Sequence, residues 1–322
     1  MSKIIQLEAT GERFVKSFDG IISLEHWHRY YLAKKIVKNK IVLDIASGEG
    51  YGSNLLASVA KLVIGVDVSH EAIGFSNQAY RRDNLKYLQG DCCDIPLEDH
   101  SVDIVVSFET IEHHDNHEEM LSEIKRVLRP DGLLIISSPD RHEYNDVPNY
   151  NNPHHVKELY TVEFIGLLSK YFSKVSLGDQ RVVVGSLIVP REAAYGFDSL
   201  VTDTPEPNDV DWNNGFTRGI FNIALASDID LPALKTTLTE FSVEKAKDII
   251  FSDIINKESI DALNKKNCSQ NEEVLKFREE IQLLKQKNEN MSNTLTTIYA
   301  SKIWKLISIW KKIFKLFRKK ND

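Results

Sequence analysis

The chain has 322 residues, of which 42% are hydrophobic, and this composition is sufficient for one sizeable core with an additional segment. Its three cysteines are too few for a disulfide framework, and the adjacent pair Cys92 and Cys93 lacks the spacing of a zinc site. The net charge of −7 conceals an asymmetry, because residues 302–322 carry +7 and residues 1–301 therefore carry −14. The acidic residues 1–301 argue against DNA or a large RNA as a binding partner. The basic residues 302–322 are expected to bind a different partner, one that is anionic.

The N-terminal region predicts a cytoplasmic protein. The opening residues, MSKIIQLEATGERF, have neither the apolar stretch nor the small-residue cleavage site of a signal peptide. No part of the chain approaches the ~20 uncharged apolar residues that span a bilayer. Residues 1–39 are predicted to form a helical lead-in that covers a ligand site, where Arg13, His28 and Arg29 are basic groups suited to an anionic ligand.

Residues 40–232 are predicted to form an α/β domain, because short apolar runs alternate with helical patterns as in βαβ units of a parallel sheet. The predicted strands are Lys40–Ile45, Leu62–Val66, Leu85–Leu88, Val102–Phe108 and Leu133–Ser137. The predicted helices are 51–60, 69–82, 115–128 and Thr161–Phe172, the third being ended by the turn Arg129–Gly132. Farther along, the β-rich run Lys174–Val189 is expected to pair with an antiparallel strand at Gly219–Ala226. The insertion 190–218 between them is expected to be a long surface loop.

A glycine-rich turn follows the first predicted strand in the segment VLDIASGEGYGS, residues 42–53. Glycines at such a place let the backbone pass close to a ligand, and Gly48 and Gly50 are the expected contact points. A nicotinamide-binding turn would have the spacing G-x-G-x-x-G, whereas here the third glycine, Gly52, comes one residue early. The turn therefore disfavours a dinucleotide.

An aspartate, Asp67, ends the second predicted strand. A carboxylate at this place can accept hydrogen bonds from both ribose hydroxyls of a nucleoside. The alternative is that Asp67 merely caps the next helix. The position relative to the glycine turn favours ribose binding.

The turn resembles motif I of class I S-adenosylmethionine (SAM)-dependent methyltransferases, with Ala46 where that family has a glycine. The segment QGDCCDIPLED, residues 89–99, and the run Ser101–Pro139 are similar to the type 11 subgroup of the same family. The resemblance implies a Rossmann-like fold, with a mostly parallel seven-stranded sheet and helices on both faces, and SAM as cofactor. It also implies that Asp91 and Cys92 meet the adenine. The cofactor contacts it implies are Asp44, Ala46, Gly48, Gly50, Tyr51, Asp67, Val68, Asp91, Cys92 and Phe108.

A cluster of acids and imidazoles follows the fourth predicted strand, at the edge where such sheets bind ligands. Glu109, Glu112 and His113 form an E-x-x-E-H motif, in which one helical turn would bring the three side chains together. The motif resembles the metal site of magnesium-dependent 2′-O-methyltransferases of small RNA and of related quinone O-methyltransferases. By that resemblance, Glu109, Glu112, His113 and His155 would hold Mg or Mn, with His154 nearby. The alternative is a metal-free site in which Glu109 touches the cofactor and His113 is a base.

The motifs together predict an O-methyltransferase with Glu109, His113 and Glu112 as catalytic residues, since a hydroxyl acceptor profits from a base or a metal. The N-terminal segment and the Asn152-Pro-His motif resemble methyltransferases of bacterial surface-polysaccharide (O-antigen) synthesis, some of which have a C-terminal coiled coil. That resemblance implies a glycan or glycolipid hydroxyl or phosphate as acceptor. The alternatives are a methyltransferase for RNA or for a quinone-like molecule, and a non-catalytic SAM-binding scaffold.

Beyond a helical linker at 233–272, residues 273–299 show the three-four spacing of a heptad seam. The seam is formed by Val274, Phe277, Ile281, Leu284, Asn288, Met291, Leu295 and Ile298. Asn288 occupies a position where a polar residue fixes register in coiled coils. The pattern predicts a homo-oligomer. A single amphipathic helix folded back on the domain is the alternative.

Residues 300–322 are predicted to form a basic amphipathic helix. Ile303, Ile307, Trp310, Phe314 and Phe317 share one face, with lysines largely on the other flank. Such a helix is expected to lie in the headgroup plane of the inner face of the cell membrane, which makes the protein a peripheral one. Packing on the protein's own acidic body or on a partner enzyme, and a nucleic-acid contact, are the alternatives.

Overall fold

The computed structural model of the chain describes residues 21–183, 198–199, 213–214, 219–239, 275–300 and 302–318. The chain divides into two units, Met1–Phe241 and Ser242–Asp322. The segment 1–20 with Arg13, most of the insertion 190–218, and residues 240–272 of the predicted linker lie outside the described residues.

Seven strands of the first unit form one sheet in the order β3-β2-β1-β4-β5-β9-β6. The strands of this sheet are β1 Ile41–Ile45, β2 Leu62–Asp67, β3 Leu85–Gln89, β4 Val102–Ser107, β5 Leu128–Pro139, β6 Lys174–Gln180 and β9 Phe221–Ser227. Strands β1 to β5 pair in parallel, whereas β9 lies antiparallel between β5 and β6. The predicted Rossmann-like sheet and the antiparallel pairing of its last strand are thereby confirmed. A two-residue ladder, β7 Asp198–Ser199 with β8 Asn213–Asn214, lies within the insertion.

Helices cover both faces of the sheet. The helices of the first unit are α1 Ile21–Ile36, α2 Tyr51–Ala57, α3 His70–Ala79, α4 His117–Val127 and α5 Thr161–Tyr171, with single turns at Ile111–His113 and His142–Asp146. One core cluster packs α4 and α5 on the sheet through Met120, Ile124 and Phe164. The other packs α1, α2 and α3 on the opposite face, and includes Ala33 and Leu56. Apolar burial on both faces is why the central strands are continuous Val, Ile and Leu runs.

The chain order reverses between β1 and β4, which are hydrogen-bonded neighbours. Such a switch point opens a crevice at the carboxyl ends of the strands, and ligands of parallel sheets bind there. Asp67 at the end of β2 and Ser107 at the end of β4 therefore mark one edge of the sheet.

Two predicted elements differ from the structure. The expected turn Arg129–Gly132 is a bulge inside β5, since Val102 pairs with Leu128 and Ile104 pairs with Leu133. Residues 233–239 are not helical, because this segment runs along the sheet instead: the Leu234 side chain covers Gly178 of β6.

The second unit is helical where it is described, over 275–300 (α6) and Lys302–Arg318 (α7). The apolar seam residues of α6 are exposed, including Phe277, Leu284 and Met291. On α7, Ile303, Ile307, Trp310 and Phe314 are exposed as well. Among the described residues, no helix combines the length and the apolar character needed to traverse a bilayer.

Candidate active site

The turn between β1 and α2 has the left-handed backbone that its glycines permit. Gly48 has φ 54° and Gly50 has φ 83°, backbone angles that residues other than glycine rarely adopt. A methyl group on Gly50 would lie 2.7 Å from the Tyr87 hydroxyl, which donates a hydrogen bond to the Gly50 carbonyl at 2.8 Å. Ala46, at the position where the family has glycine, also has a left-handed φ of 57° and is therefore strained.

Asp67 holds this turn directly. Its Oδ2 accepts a hydrogen bond from the Gly48 amide at 2.8 Å, and its Oδ1 accepts one from the Ser69 amide at 2.9 Å. A carboxylate oxygen has more than one lone pair, so both oxygens retain acceptor capacity for ribose hydroxyls. The glycine-rich turn and Asp67, which the sequence predicted to form one ligand site, are thus joined by a hydrogen bond.

Asp44 lies beneath the turn. Its carboxylate is buried and accepts hydrogen bonds from Ser53 Oγ at 2.5 Å and from Tyr30 Oη at 3.2 Å. Burial raises the pKa of Asp44 to about 7. The structure therefore places Asp44 where it anchors α1 and α2 to the turn, and a direct cofactor contact of this residue stays a prediction.

An aromatic layer covers the turn from the side of α1. Tyr30 packs edge to face on Tyr51 and on Phe108, with ring centroids 5.4 Å and 5.1 Å apart. Trp27 packs on Tyr51 at 5.0 Å. Two predicted cofactor contacts, Tyr51 and Phe108, thus belong to a layer that excludes water from this end of the sheet.

The remaining predicted cofactor contacts lie farther along the same edge. Val68 directly follows Asp67 and is exposed. Asp91 follows β3, and its Oδ1 accepts a hydrogen bond from the Cys93 amide at 2.8 Å, which folds residues 91–94 into a tight turn. The Gly90 amide donates to the Asp67 carbonyl at 3.1 Å, so the loop of Asp91 and Cys92 borders Asp67, the acid predicted to bind ribose.

Glu109 is fixed at the end of β4 in a strained conformation, with φ 49°. Ser137 Oγ donates to Glu109 Oε1 at 2.6 Å, and Arg29 Nη1 lies 3.6 Å from the same oxygen. Arg29 is buried, its Nε donates to Gln180 at 2.7 Å and its guanidinium lies 4.5 Å above the Phe221 ring. Within the described part of the chain, Nη1 and Nη2 of Arg29 have no hydrogen-bond partner.

Glu112, His113 and His155 come together beside Glu109. The Glu112 carboxyl is 1% exposed, and neither of its oxygens has a hydrogen-bond partner among the described residues. His113 Nε2 lies 3.9 Å from Glu112 Oε1, and ligand atoms of Glu112, His113 and His155 all lie within 4.8 Å of one another. Glu109 is not part of this group, because only a short 3-10 turn at Ile111–His113 forms where a full helical turn was expected.

Hydrogen bonds fix the ring orientations of both histidines. His113 Nδ1 donates to the His154 carbonyl at 3.1 Å, which leaves Nε2 available as a base or a ligand. His155 Nδ1 bonds to Glu158, and its Nε2 faces the Asn152 amide at 2.9 Å. Burial lowers the pKa of His155 to about 4, so this imidazole is neutral at neutral pH.

Burial and like charge raise the pKa values of the acids around this group. Burial is the main cause for Glu112, whose pKa is well above its usual range, and the neighbouring Glu109 carboxylate adds to the effect. Burial likewise raises the pKa values of Glu25 and Glu158 to about 7. Perturbed acids at a strand end are typical of sites that move protons or bind cations.

Four residues of this site were not identified from the sequence: Ser137, Gln180, Asn152 and Glu158. Glu158 had a usable signal, because it lies three residues after His155 in NPHHVKEL. Ser137 and Gln180 follow from the sheet, which brings β5 and β6 to the same edge, whereas Asn152 lies in the loop before α5 and reaches His155 through the fold of that loop.

Comparison with known proteins identifies relatives of this domain. Residues 43–136 match the family described as a methyltransferase domain. A probable SAM-dependent methyltransferase of Mycolicibacterium smegmatis is 35% identical over 170 residues, which is 50% of this chain and 63% of that protein. One of Mycobacterium tuberculosis is 36% identical over 171 residues, 50% of this chain and 60% of its own length. A fatty-acid O-methyltransferase of M. smegmatis is 29% identical over 120 residues, covering 37% and 43% of the two chains. The chain thus spans about three fifths of the length of the two more similar relatives.

Proposed function

We propose that the chain contains a class I SAM-dependent methyltransferase domain and that it methylates an oxygen of a glycan or glycolipid, at a hydroxyl or a phosphate. The observation that carries the oxygen chemistry is the buried Glu112 carboxyl, with both oxygens unpaired in the described structure and His113 and His155 beside it. A sulfonium donor needs only an aligned nucleophile, but a hydroxyl is a poor one and gains from a base or a metal. The cluster supplies groups suited to either role.

As a base, His113 is the residue best placed to accept the acceptor's proton. Its Nδ1 proton is held by the His154 carbonyl, so the lone pair is on Nε2. Glu112 Oε1 lies 3.9 Å from this nitrogen, close enough for the imidazolium that forms to favour the ionised carboxylate against its raised pKa. Glu109, tied to Ser137 and Arg29, is a positioning residue at the same strand end.

The same residues fit a divalent cation. Glu112 offers unpaired carboxylate oxygens in a buried place, where an uncompensated charge is costly. His113 offers Nε2, since its Nδ1 is held by a carbonyl. His155 has Nδ1 on Glu158, and its Nε2 becomes available to a cation when the Asn152 amide, 2.9 Å away, is displaced. We propose Glu112, His113 and His155 as the ligands of Mg or Mn, without Glu109. A cation bound there would lower the pKa of an acceptor hydroxyl.

The acceptor class rests on two further observations. The basic helix α7 exposes Trp310 and Phe314 beside lysines, which favours an acceptor at an anionic membrane surface. A relative in Mycolicibacterium smegmatis is a fatty-acid O-methyltransferase, so a lipid acceptor occurs among proteins similar to this one. RNA or a quinone-like molecule is the second candidate acceptor. The E-x-x-E-H motif resembles the metal site of methyltransferases that act on these two classes of molecule. A non-catalytic scaffold is disfavoured because Asp67 and Glu112 are both present.

The test is transfer of a labelled methyl group from SAM to membrane glycolipid, RNA and quinone precursors offered in parallel. We expect label in the glycolipid fraction, and a loss of at least tenfold for Glu112→Gln. Glu119→Gln, an exposed acid of α4, is the matched control and should behave as wild type. A chelator should reproduce the effect of Glu112→Gln, and full activity in its presence would contradict the metal. Label confined to RNA or quinone would contradict the acceptor class.

We further propose that α6 joins copies of this chain and that α7 binds the inner face of the cell membrane. Support for the first comes from the exposed apolar seam of α6, which a parallel coiled coil would cover. Light scattering on the full chain should give an oligomer, and Leu284→Asp should give a monomer, with the off-seam Lys285→Asp as control. A monomeric wild-type chain would contradict the coiled coil.

A further inference from the structure

Cys92, Cys93 and His114 form a second cluster of potential ligands, separate from that of Glu112. The Sγ atoms of Cys92 and Cys93 lie 4.0 Å apart, and Cys92 Sγ lies 3.5 Å from His114 Nε2. All three ligand atoms lie within 4.8 Å of one another. His113 and His114 are adjacent in the chain, yet each imidazole belongs to a different cluster.

The spacing of these atoms matches the edges of a metal coordination polyhedron. With metal–sulfur and metal–nitrogen bonds of about 2.3 Å and about 2.0 Å, tetrahedral geometry puts two sulfurs about 3.8 Å apart, and a sulfur and a nitrogen about 3.5 Å apart. The observed separations of 4.0 Å and 3.5 Å differ from these values by only a few tenths of an ångström. The third separation, between the Cys93 and His114 ligand atoms, is below 4.8 Å, so this edge has to shorten by no more than about 1.3 Å for the ligands to converge on one ion.

Both sides of the cluster are held by the backbone. The turn 91–94 is closed by the Cys93 amide donating to Asp91 Oδ1 at 2.8 Å, which fixes the two adjacent thiols. On the other side, His117 Nε2 bonds to the His114 carbonyl at 2.7 Å. A fourth soft atom is near, because Met120 Sδ lies 3.3 Å from His114 Nε2. Met120 is fully buried, so this sulfur is fixed as well.

We propose that Cys92, Cys93 and His114 bind a thiophilic metal ion such as Zn²⁺ or Cu⁺. Two thiolates, an imidazole and a nearby thioether form a soft donor set, which selects these ions over Mg or Mn. The site is distinct from the Glu112 cluster, whose donors are a carboxylate and two imidazoles. The cysteine spacing alone contains no metal motif, because the third ligand comes from a loop after β4 and reaches the thiols only in the folded chain.

The test is a Co²⁺ titration of the full chain, reduced and freed of metal, followed by competition with Zn²⁺ and with Cu⁺. We expect a sulfur-to-cobalt charge-transfer band at one equivalent, displaced by the competing ions. Cys92→Ser, Cys93→Ser and His114→Gln should each weaken binding at least tenfold. Two controls should leave the band unchanged: Cys268→Ser, which removes the third thiol, and Glu112→Gln, which alters the other cluster.

Absence of the band in the wild-type chain would overturn the proposal, and so would a band that survives both serine variants or disappears with Cys268→Ser. X-ray absorption on the zinc-loaded wild-type chain provides a measurement that needs no variant. A shell of two or more sulfurs at about 2.3 Å is expected. A shell of oxygen and nitrogen alone would show that zinc binds away from the two cysteines and would overturn the proposal.

Discussion

Arg29 of helix α1 and Glu109 at the end of β4 are paired, with Nη1 3.6 Å from Oε1. Arg29 is 1% exposed and is also held by Gln180 and by the Phe221 ring. The pair therefore links the covering helix to the strand end where Glu112 and His113 lie. It also supplies a positive charge to a region of several buried acids.

Removing this charge should impair methyl transfer more than cofactor binding. Arg29→Met leaves the Glu109 carboxylate without its positive partner. Breaking a buried ion pair in this way lowers the free energy of unfolding by roughly 3–5 kcal/mol. We expect methyl transfer to fall at least tenfold, with Arg29→Lys intermediate because it keeps the charge and loses the planar contacts. Arg82→Met, at an exposed arginine, is the control. Equal losses in transfer and in S-adenosylhomocysteine affinity would mean that Arg29 serves the cofactor instead.

Ala46→Gly should stabilise the domain. The left-handed φ of 57° costs an alanine roughly 1–2 kcal/mol, and part of the gain is offset by the greater freedom of glycine in the unfolded chain. We expect a net gain of about 0.5–1 kcal/mol and a Tm increase of a few degrees. Ala79→Gly, in the right-handed backbone of α3, should instead lower Tm. A lower Tm for Ala46→Gly would contradict the strain.

Asp44 should make stability depend on pH. Its pKa rises from 3.8 unfolded to about 7 folded through burial, so the folded chain binds the proton more tightly. The free energy of unfolding therefore falls as pH rises through this interval and levels off above it. In thermal melts from about pH 5 to about pH 8, Asp44→Asn should show a smaller fall than wild type. Glu25 and Glu158 shift in the same direction, so some slope will remain. Identical slopes in the two proteins would contradict the assignment.

The membrane role of α7 is testable with lipid vesicles. The full chain should sediment with vesicles containing anionic lipid, less so with zwitterionic ones, and less at high salt. Trp310→Ala removes an exposed ring from the apolar face and should weaken binding at least tenfold. Ile309→Ala, about 100° around the helix from Trp310 and outside the face of Ile303, Ile307 and Phe314, is the control. A wild-type chain that stays in the supernatant would refute membrane binding through α7.

The sheet and the cofactor turn could be predicted from the sequence because their signals are local. Strands buried on both faces are uninterrupted apolar runs, and the carboxyl ends of β1 and β2 share an edge, so Gly48 and Asp67 had to approach one another. The bulge at Arg129–Gly132 could not be predicted, because a Pro-Asp-Gly segment normally ends pairing. Here Val102 and Ile104 continue the pairing on either side of it.

The details of the active site depend on contacts between distant segments. Nothing near Glu109 in the chain predicts its left-handed backbone, because Ser137 and Arg29 hold it there from β5 and α1. The prediction from the E-x-x-E-H spacing required a regular helical turn. The positive φ of Glu109 prevents that turn. Glu109 consequently lies outside the cluster of Glu112, His113 and His155, although the motif predicted that it belongs to that cluster.

The prediction that Asp67 binds the cofactor is tested most directly by calorimetry with S-adenosylhomocysteine. The wild-type chain and Asp83→Asn, an exposed control, should bind with the same affinity, and Asp67→Asn should bind at least tenfold more weakly, since a hydrogen bond to a charged group contributes roughly 1.5–3 kcal/mol. No heat with the wild-type chain, or equal affinities for wild type and Asp67→Asn, would contradict the assignment of this domain's ligand.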